Sequence, residues 1–247
     1  PSRHAIAAES ARCFAAQTHP ERELLVITDD ADRLPQADRD ALERVVREAA
    51  GERARFLHVR ERVTLGALRN RSFAEAQGAF VCQWDDDDLS HPHRVRDQLA
   101  ALGRVNGVAS FLHEVVHVFP ERGAAWVCNW RRAPQGGHPG TGLVRTGVRA
   151  RYPEAGDDAV RGEDTTFALA LRSEGAVAAP DTGPLYGYRF TGANTWAITH
   201  HESLVAQLAL SKALLLRREA ELRARLAELG LAQGTALHGS NGLAFVL

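Results

Sequence analysis

The first hundred residues alternate between short apolar runs and longer amphipathic stretches, and this alternation restricts the fold more than any other feature of the sequence. The strands predicted from the apolar runs are Glu23–Thr28, Phe56–Val59 and Ala79–Trp84. The helices predicted from the amphipathic stretches are Ala5–Gln17, Gln36–Ala50, Leu65–Gln77 and Arg94–Leu102. Strands that alternate with helices predict an α/β domain, with a mostly parallel central sheet flanked by helices.

Acidic residues follow two of these strands at the point where each strand ends. Asp29 and Asp30 come directly after the first strand, and the run Asp85–Asp88 comes directly after the third. In parallel α/β sheets, ligands bind beyond the carboxyl ends of the strands. We therefore expect both acidic clusters to line a ligand site.

The run Asp85–Asp88 has two interpretations. Adjacent carboxylates repel one another, so the run is either a solvated acidic turn or a site where a cation compensates the charge. An apolar strand precedes the run and Leu89–Pro92 follows it, which favours the second interpretation. The cation would be Mg²⁺ or Mn²⁺, which bind oxygen ligands and keep positions open for the oxygens of a diphosphate.

A second acidic pair, Glu163-Asp164, opens a predicted helix at Thr165–Ser173. An acid in the first turn of a helix stabilises that end of the helix. The alternative is a general base that deprotonates an acceptor hydroxyl, a role worth roughly 10²- to 10⁴-fold in rate. Further along, the adjacent His200 and His201 are either surface residues or a source of a third metal ligand.

Composition excludes several classes of protein. Thirty Lys and Arg residues against 31 Asp and Glu give a formal charge of -1, which argues against a nucleic-acid protein with a broad basic face. Three widely separated cysteines favour unpaired thiols and a cytoplasmic location. No apolar run approaches the roughly 20 residues of a transmembrane helix, so contact with a membrane would be peripheral.

Five segments, in order, resemble the motifs of the inverting family 2 glycosyltransferases. They are Gln17–Pro20 followed by Glu23–Asp30, Gly66–Arg71, Gly78–Asp88 followed by His91-Pro92, Glu163-Asp164, and Tyr186–Asn194. Together they extend over most of residues 1–196. The resemblance implies the GT-A-type nucleotide-sugar-binding fold for residues 1–200, with a nucleotide-binding half first and an acceptor half second.

The resemblance also implies where a nucleoside diphosphate sugar would bind. Asp29 would contact the base or ribose, and Asp85 would lie near the ribose, with Asp86 beside it. Arg69 matches a residue near the nucleotide, although a packing or ion-pair role fits it equally.

For catalysis, the resemblance implies a metal and a base. Asp87, with Asp88 nearby, would hold Mn²⁺ or Mg²⁺ at the diphosphate, and Asp164 matches the catalytic base. The implied reaction moves a sugar with inversion from the nucleotide sugar to a hydroxyl of a glycan, a lipid-linked molecule or a small molecule. The alternatives are a nucleotidyltransferase, whose glycine-rich basic phosphate loop is not visible in the sequence, and a non-catalytic nucleotide-sugar-binding module.

The remaining segments carry weaker signals. The Gly- and Pro-rich stretch Arg131–Thr146 is predicted to be a loop that helps to choose the acceptor. Residues 201–232 are predicted to be a helical extension built on one long helix, Glu202–Leu229, with leucines seven residues apart. That helix would either lie on the domain or form a homodimer contact.

The last segment, residues 233–247, is predicted to be a linker and a strand. Family members begin with an apolar strand, and Leu243–Leu247 has the composition of such a strand. We expect it to pair in parallel with Glu23–Thr28 and complete the first sheet. The alternatives are a strand swapped between copies, the start of a second domain, and a frayed apolar tail.

Overall fold

The computed structural model describes residues 3–29, 35–159, 161–192 and 194–247. Its α-helices are α1 (Arg3–Ala15), α2 (Gln36–Ala50), α3 (Leu65–Glu75), α4 (Arg94–Val105), α5 (Glu163–Leu171), α6 (Ile198–Leu208), α7 (Lys212–Arg217) and α8 (Glu219–Glu228). Its strands are β1 (Leu24–Thr28), β2 (Ala54–His58), β3 (Phe80–Cys82), β4 (Leu89–Ser90), β5 (Ala109–Leu112), β6 (Glu114–Phe119), β7 (Ala124–Asn129), β8 (His138–Arg145), β9 (Val177–Ala178), β10 (Tyr186–Arg189), β11 (Ala236–Gly239) and β12 (Gly242–Val246).

The first part of the chain follows the predicted strand–helix alternation. β1 pairs in parallel with β2, from Leu24 opposite Ala54 to Thr28 opposite His58. Helix α1 packs against α2, and Ala11, Val46 and Ala54 form the centre of a small core there. The predicted α/β class is therefore confirmed. Asp30, expected at the end of β1, lies outside the described residues.

The sheets are mixed rather than mostly parallel. One sheet has the order β3-β8-β5-β9 and another has the order β12-β11-β7-β6-β10-β4. β6 and β7 pair antiparallel because a single turn at Pro120–Arg122, followed by left-handed Gly123, returns the chain directly. Only longer connections allow parallel pairing, as between β10 and β6.

The predicted loop Arg131–Thr146 is wrong over its second half. It contains β8, an almost completely buried strand that lies between β3 and β5. Its glycines permit close packing: a Cβ on Gly142 would come within 3.1 Å of the Phe111 ring. Here glycine marks a close approach of neighbouring groups and not a turn.

The predicted long helix Glu202–Leu229 is also wrong, because the chain breaks it into α6, α7 and α8. Ala209 leaves the helical conformation and bridges to Cys128 of β7, and the Leu210 N–H donates to the Val127 carbonyl. Ser211 then caps α7 by accepting from the Leu214 N–H. The apolar stripe faces inward, because the following leucines are all buried in the core of this chain: Leu215, Leu222, Leu226 and Leu229. This packing agrees with the alternative in which the helical segment lies on the domain.

The C-terminal strand does not pair where the sequence predicted. β12 pairs antiparallel with β11, and β11 pairs in parallel with β7, so both extend the six-stranded sheet. A tight turn at Gly239–Gly242 favours this local hairpin over a distant pairing with β1. In the described part of the chain, no helix is long and apolar enough to cross a membrane.

Candidate active site

The aspartate run is held in place by hydrogen bonds on both sides. On one side, the Ser10 hydroxyl of α1 donates to the Asp85 carbonyl at 3.0 Å, and the Trp84 indole donates to the Ser10 carbonyl at 3.2 Å. On the other side, the buried Arg94 guanidinium of α4 donates to the Gln83 carbonyl at 2.8 Å and to the Ser90 hydroxyl at 2.9 Å. The backbone on both sides of the run is therefore fixed, while Asp85, Asp86 and Asp87 remain partly exposed.

Arg69 joins the aspartate run to the start of α5. Its guanidinium lies 2.6 Å from Glu163 Oε1 and 3.4 Å from Asp85 Oδ1. The ion-pair role considered for Arg69 is therefore present in the structure. Because Asp164 follows Glu163 directly, this one cation brings the predicted nucleotide side and the predicted catalytic base into one site.

The surroundings of Asp164 change the pKa of its carboxyl group. Gly162, with a φ of 86°, turns the chain into α5, and Asp164 Oδ1 accepts from the Thr165 N–H at 2.7 Å. Burial raises the pKa of Asp164, while Arg69 opposes this rise. A raised pKa makes a carboxylate a stronger base, and the nearby guanidinium keeps it available in its charged form.

Asp88 points into the protein. Its Oδ1 accepts from the Arg189 N–H at 2.7 Å, and its Oδ2 accepts from the Tyr186 hydroxyl. Burial, together with the Asp87 and Asp85 charges, raises the pKa of Asp88 well above its usual range. Because both oxygens are already engaged, this geometry favours a positioning role for Asp88 over the predicted role of metal ligand.

Asp87 is half-buried and lies beside the segment that follows β10. The Asn194 amide donates to Asp87 Oδ2 at 3.4 Å, and the Arg189 guanidinium donates to the Asp87 carbonyl at 2.7 Å. Arg189 also pairs with Glu9 of α1. Arg189 and Asn194, which belong to the family-like segment Tyr186–Asn194, therefore hold Asp87 in position.

Asp29 lies at the other end of the site and is connected to it by α3. The Val63 N–H, just before α3, donates to Asp29 Oδ2 at 3.2 Å. Arg69, in the second turn of the same helix, contacts Asp85. Helix α3 thus spans the distance between the predicted base-binding and ribose-binding aspartates.

The oxygen donors at the end of β3 suit a hard divalent cation. Asp85, Asp86 and Asp87 are half-buried, so their carboxylates combine partial exposure with fixed backbone positions. Oxygen ligands of this kind are those that Mg²⁺ and Mn²⁺ prefer. The residues present therefore fit the metal that the sequence predicted.

A second group of metal-type side chains lies outside this site. Among the described residues, potential ligand atoms of His91, His93 and Glu228 lie within 4.8 Å of one another. Both nitrogens of His91 are already engaged, because Nδ1 accepts from the His93 N–H and Nε2 lies 3.0 Å from Glu228. A neutral imidazole has one donor and one acceptor nitrogen, so these hydrogen bonds account for the group without a cation.

His201, which the sequence offers either as a surface residue or as a source of a metal ligand, is buried and does not lie at the surface.

Sequence reasoning missed two polar residues of the site. The Gln83 amide donates to Asp85 Oδ2 at 3.1 Å, and the Tyr152 hydroxyl donates to Gln83 Oε1 at 3.3 Å. A glutamine within the apolar run Ala79–Trp84 was the available signal for the first. Nothing local marks Tyr152, whose contacts come from residues far away along the chain.

This chain is similar to a known protein family. The family model described as Glycosyl transferase family 2 matches residues 5–143, which is more than half of the chain. The chain belongs to glycosyl transferase family 2. The resemblance stated from the sequence motifs is thereby confirmed, and the match includes α3 and the whole aspartate run of this family 2 chain. No curated protein matches it.

Solved structures support the same fold. The S. aureus TarS 1–349 structure in complex with UDP-GlcNAc has a TM-score of 0.57 at 15% identity, covering 89% of this chain and 62% of that chain. The structure of TarS 1–349 described without a ligand has a TM-score of 0.54 at 15% identity, covering 76% and 57%. The complex with UDP has a TM-score of 0.51 at 15% identity, covering 91% and 71%. This family 2 chain spans less than two thirds of the first two structures.

Proposed function

We propose that the chain is a glycosyltransferase that moves a sugar from a nucleoside diphosphate sugar to an acceptor hydroxyl with inversion. The observation that carries this proposal is the ion-pair bridge of Arg69 to both Asp85 and Glu163. We infer from this bridge that the proposed base, Asp164, lies near the aspartate run, because Asp164 follows Glu163 directly. Direct displacement needs both groups at one centre, because the acceptor must be deprotonated where the donor is bound.

Asp164 takes the proton from the acceptor hydroxyl in this proposal. The proton moves from the acceptor oxygen to a carboxylate oxygen of Asp164 as that acceptor oxygen attacks the anomeric carbon. The bond from the anomeric carbon to the diphosphate oxygen breaks from the opposite face, which inverts the configuration. Arg69 keeps the charged form of Asp164 available, since it opposes the effect of burial on the pKa of that group.

Asp87, with Asp86 beside it, would hold Mn²⁺ or Mg²⁺ at the diphosphate, and Asp85 and Asp29 would bind the nucleoside. When bound, such a cation neutralises charge that develops on the departing diphosphate. Asp88 positions this segment through its bonds to Tyr186 and Arg189.

The donor we propose is a uridine diphosphate sugar. TarS, to which this fold is similar, has been crystallised with UDP-GlcNAc and with UDP. The acceptor belongs to the wide class of hydroxyl-bearing glycans, lipid-linked molecules and small molecules. We place the protein in the cytoplasm, because Cys13, Cys82 and Cys128 are all free thiols, as expected in a reducing compartment.

Thermal unfolding with a panel of nucleoside diphosphates and their sugars, with and without Mn²⁺, tests the proposal. A ligand at 100 times its dissociation constant adds about 2.7 kcal/mol to the free energy of unfolding. We expect UDP and one or more UDP-sugars to stabilise the chain in a Mn²⁺-dependent way. A chain that no uridine nucleotide stabilises would contradict the proposed donor class. Stabilisation by a UDP-sugar without transfer of the sugar to any acceptor, and hence without release of free UDP, would instead indicate a binding module.

A further inference from the structure

The carboxylate of Asp85 has two neighbouring side chains that orient it. Arg69 approaches Oδ1 at 3.4 Å, and the Gln83 amide nitrogen lies 3.1 Å from Oδ2 and 3.4 Å from Oδ1. Gln83 is therefore the nearer of the two hydrogen-bond donors to Asp85. With 32% of its side chain exposed, Asp85 would have considerable rotational freedom if that donor were removed.

The amide of Gln83 is itself fixed in one orientation. The Tyr152 hydroxyl donates to its Oε1 at 3.3 Å, so its amino group must face Asp85. A carboxylate accepts hydrogen bonds only, and the reversed amide would set two oxygens against each other. The Gln83 backbone is held as well, by the Gly142 carbonyl at 2.8 Å and by Arg94.

Tyr152 connects this amide to the helix that carries Asp164. Its ring stacks on Phe167 of α5 with centroids 3.9 Å apart. The Arg69 guanidinium lies over the Tyr152 ring, 5.5 Å from its centroid. The main chain at Tyr152 is fixed by Asn70 of α3, whose amide oxygen accepts from the Tyr152 N–H at 2.9 Å. Gln83 and Tyr152 are both buried, so water does not compete strongly for these bonds.

We propose that Gln83 is a positioning residue for donor binding: its amide, oriented by the Tyr152 hydroxyl, holds the Asp85 carboxylate in the direction that receives the nucleotide. The inference rests on the proposed function, since Asp85 acts there on the nucleoside. Asp85 is thus connected to α5 in two ways. One is the ion-pair bridge through Arg69 and Glu163, and the other uses the hydrogen bonds of Gln83 and Tyr152 and the stacking of Tyr152 on Phe167.

The variant Gln83→Glu gives the sharpest test, because its side chain has nearly the same shape as that of the wild type and only the hydrogen-bond donor toward Asp85 is lost. At about pH 8 the new carboxylate would be charged and would repel Asp85, so we expect UDP affinity in Mn²⁺ to fall by about tenfold or more. A neighbouring carboxylate raises the pKa of a glutamic acid, and the protonated form donates as the amide did, so affinity should return toward wild type as the pH is lowered to about 5.5. The readout is the ratio of variant to wild-type dissociation constants, measured by calorimetry at both pH values, because UDP itself titrates in this range.

Two further variants complete the experiment. Tyr152→Phe keeps the ring stack on Phe167 and removes only the hydroxyl, so it should weaken UDP binding several-fold at both pH values even if Gln83→Glu folds poorly. Gln207→Glu, at an exposed position of α6, is the matched control and should leave UDP affinity unchanged at both pH values.

The possible outcomes separate this inference from the proposed function. Gln83→Glu that binds UDP like wild type at about pH 8, or that is equally weak at both pH values, would overturn the positioning role while leaving the donor class intact. Tyr152→Phe with wild-type affinity would overturn the role of the hydroxyl in orienting the amide. Wild-type protein that binds no UDP would overturn the proposed donor class, and this inference with it.

Discussion

His138 lies in a buried cluster of aromatic and imidazole rings, and we predict that it makes the protein less stable in mild acid. Its ring centroid is 4.7 Å from that of Trp130 and 5.3 Å from that of Tyr188. Its Nδ1 has no hydrogen-bond partner in the described part of the chain. Burial lowers the pKa of His138 to about 3, with smaller contributions in the same direction from Arg94 and His201.

The size of the effect follows from the difference in the pKa of His138 between the folded and the unfolded chain. The unfolded chain protonates His138 near the ordinary histidine pKa of about 6.5, whereas the folded chain keeps it neutral. Its contribution to stability is therefore complete above about pH 6.5 and is lost as the pH falls toward the folded-state pKa of about 3. At about pH 5, roughly 1.5 pH units below the unfolded value, the loss is about 2 kcal/mol.

Urea unfolding of wild type and His138→Asn at about pH 7 and about pH 5 measures this loss. The free energy of unfolding of the wild type should fall between the two pH values by about 2 kcal/mol more than that of the variant. Buried carboxylates such as Asp88, whose raised pKa acts in the opposite direction, are present in both proteins and cancel in the comparison.

The control variant is His19→Asn, at a half-exposed position after α1, which should keep the wild-type pH dependence. If wild type and His138→Asn lose the same free energy between the two pH values, the reasoning from burial is refuted. An absolute loss of stability in the variant at both pH values would not affect this test, because the readout is a difference between pH values.

Three further predictions concern packing and the site. Gly66→Ala should lower the free energy of unfolding by about 1–3 kcal/mol, because the new Cβ would lie 2.0 Å from the Pro153 carbonyl oxygen. Gly103→Ala, at an exposed position of α4 with nothing within 4 Å, should instead raise the free energy of unfolding by about 1 kcal/mol. Urea unfolding of both variants checks these two values. Asp164→Asn should reduce turnover roughly 10²-fold or more while UDP affinity stays at the wild-type value, and near-normal turnover would leave Asp164 as a helix-capping residue. Asp87→Asn should abolish the Mn²⁺ dependence of UDP binding in calorimetry without unfolding the chain, and an unchanged Mn²⁺ dependence would argue against its role as a ligand.

The sequence predicted those parts of the fold in which local pattern and tertiary contact agree. Helix α2 begins and ends at the predicted residues because its apolar positions recur at helical spacing up to Gly51. Strand β8 was missed because its glycines and Pro139 resemble a loop locally, and only the neighbours β3 and β5 make a strand of it. The break at Ala209 was missed for a related reason, since the bridge to Cys128 lies in a distant part of the sequence.

The candidate site divides in the same way. The aspartate run and the pair Glu163-Asp164 were found because acidic residues at strand and helix ends are visible in the sequence alone. Which oxygens point inward is not visible in the sequence, and the hydrogen bonds of Asp88 with the Tyr186 hydroxyl and the Arg189 N–H could not be predicted from it. Such assignments depend on pairings about a hundred residues apart along the chain.

The packing of α6, α7 and α8 has a consequence for how this chain can change. The leucines of α7 and α8 share one core with Val116 and Val127, which belong to the same sheet as β10 below the aspartate run. Residues 201–232 are therefore not an attachment that can be removed or exchanged as a unit. Grafting the corresponding helices of a relative would require simultaneous replacement of the strand residues beneath them. Recombination between family members should accordingly succeed only at junctions that keep this set of strands and helices together.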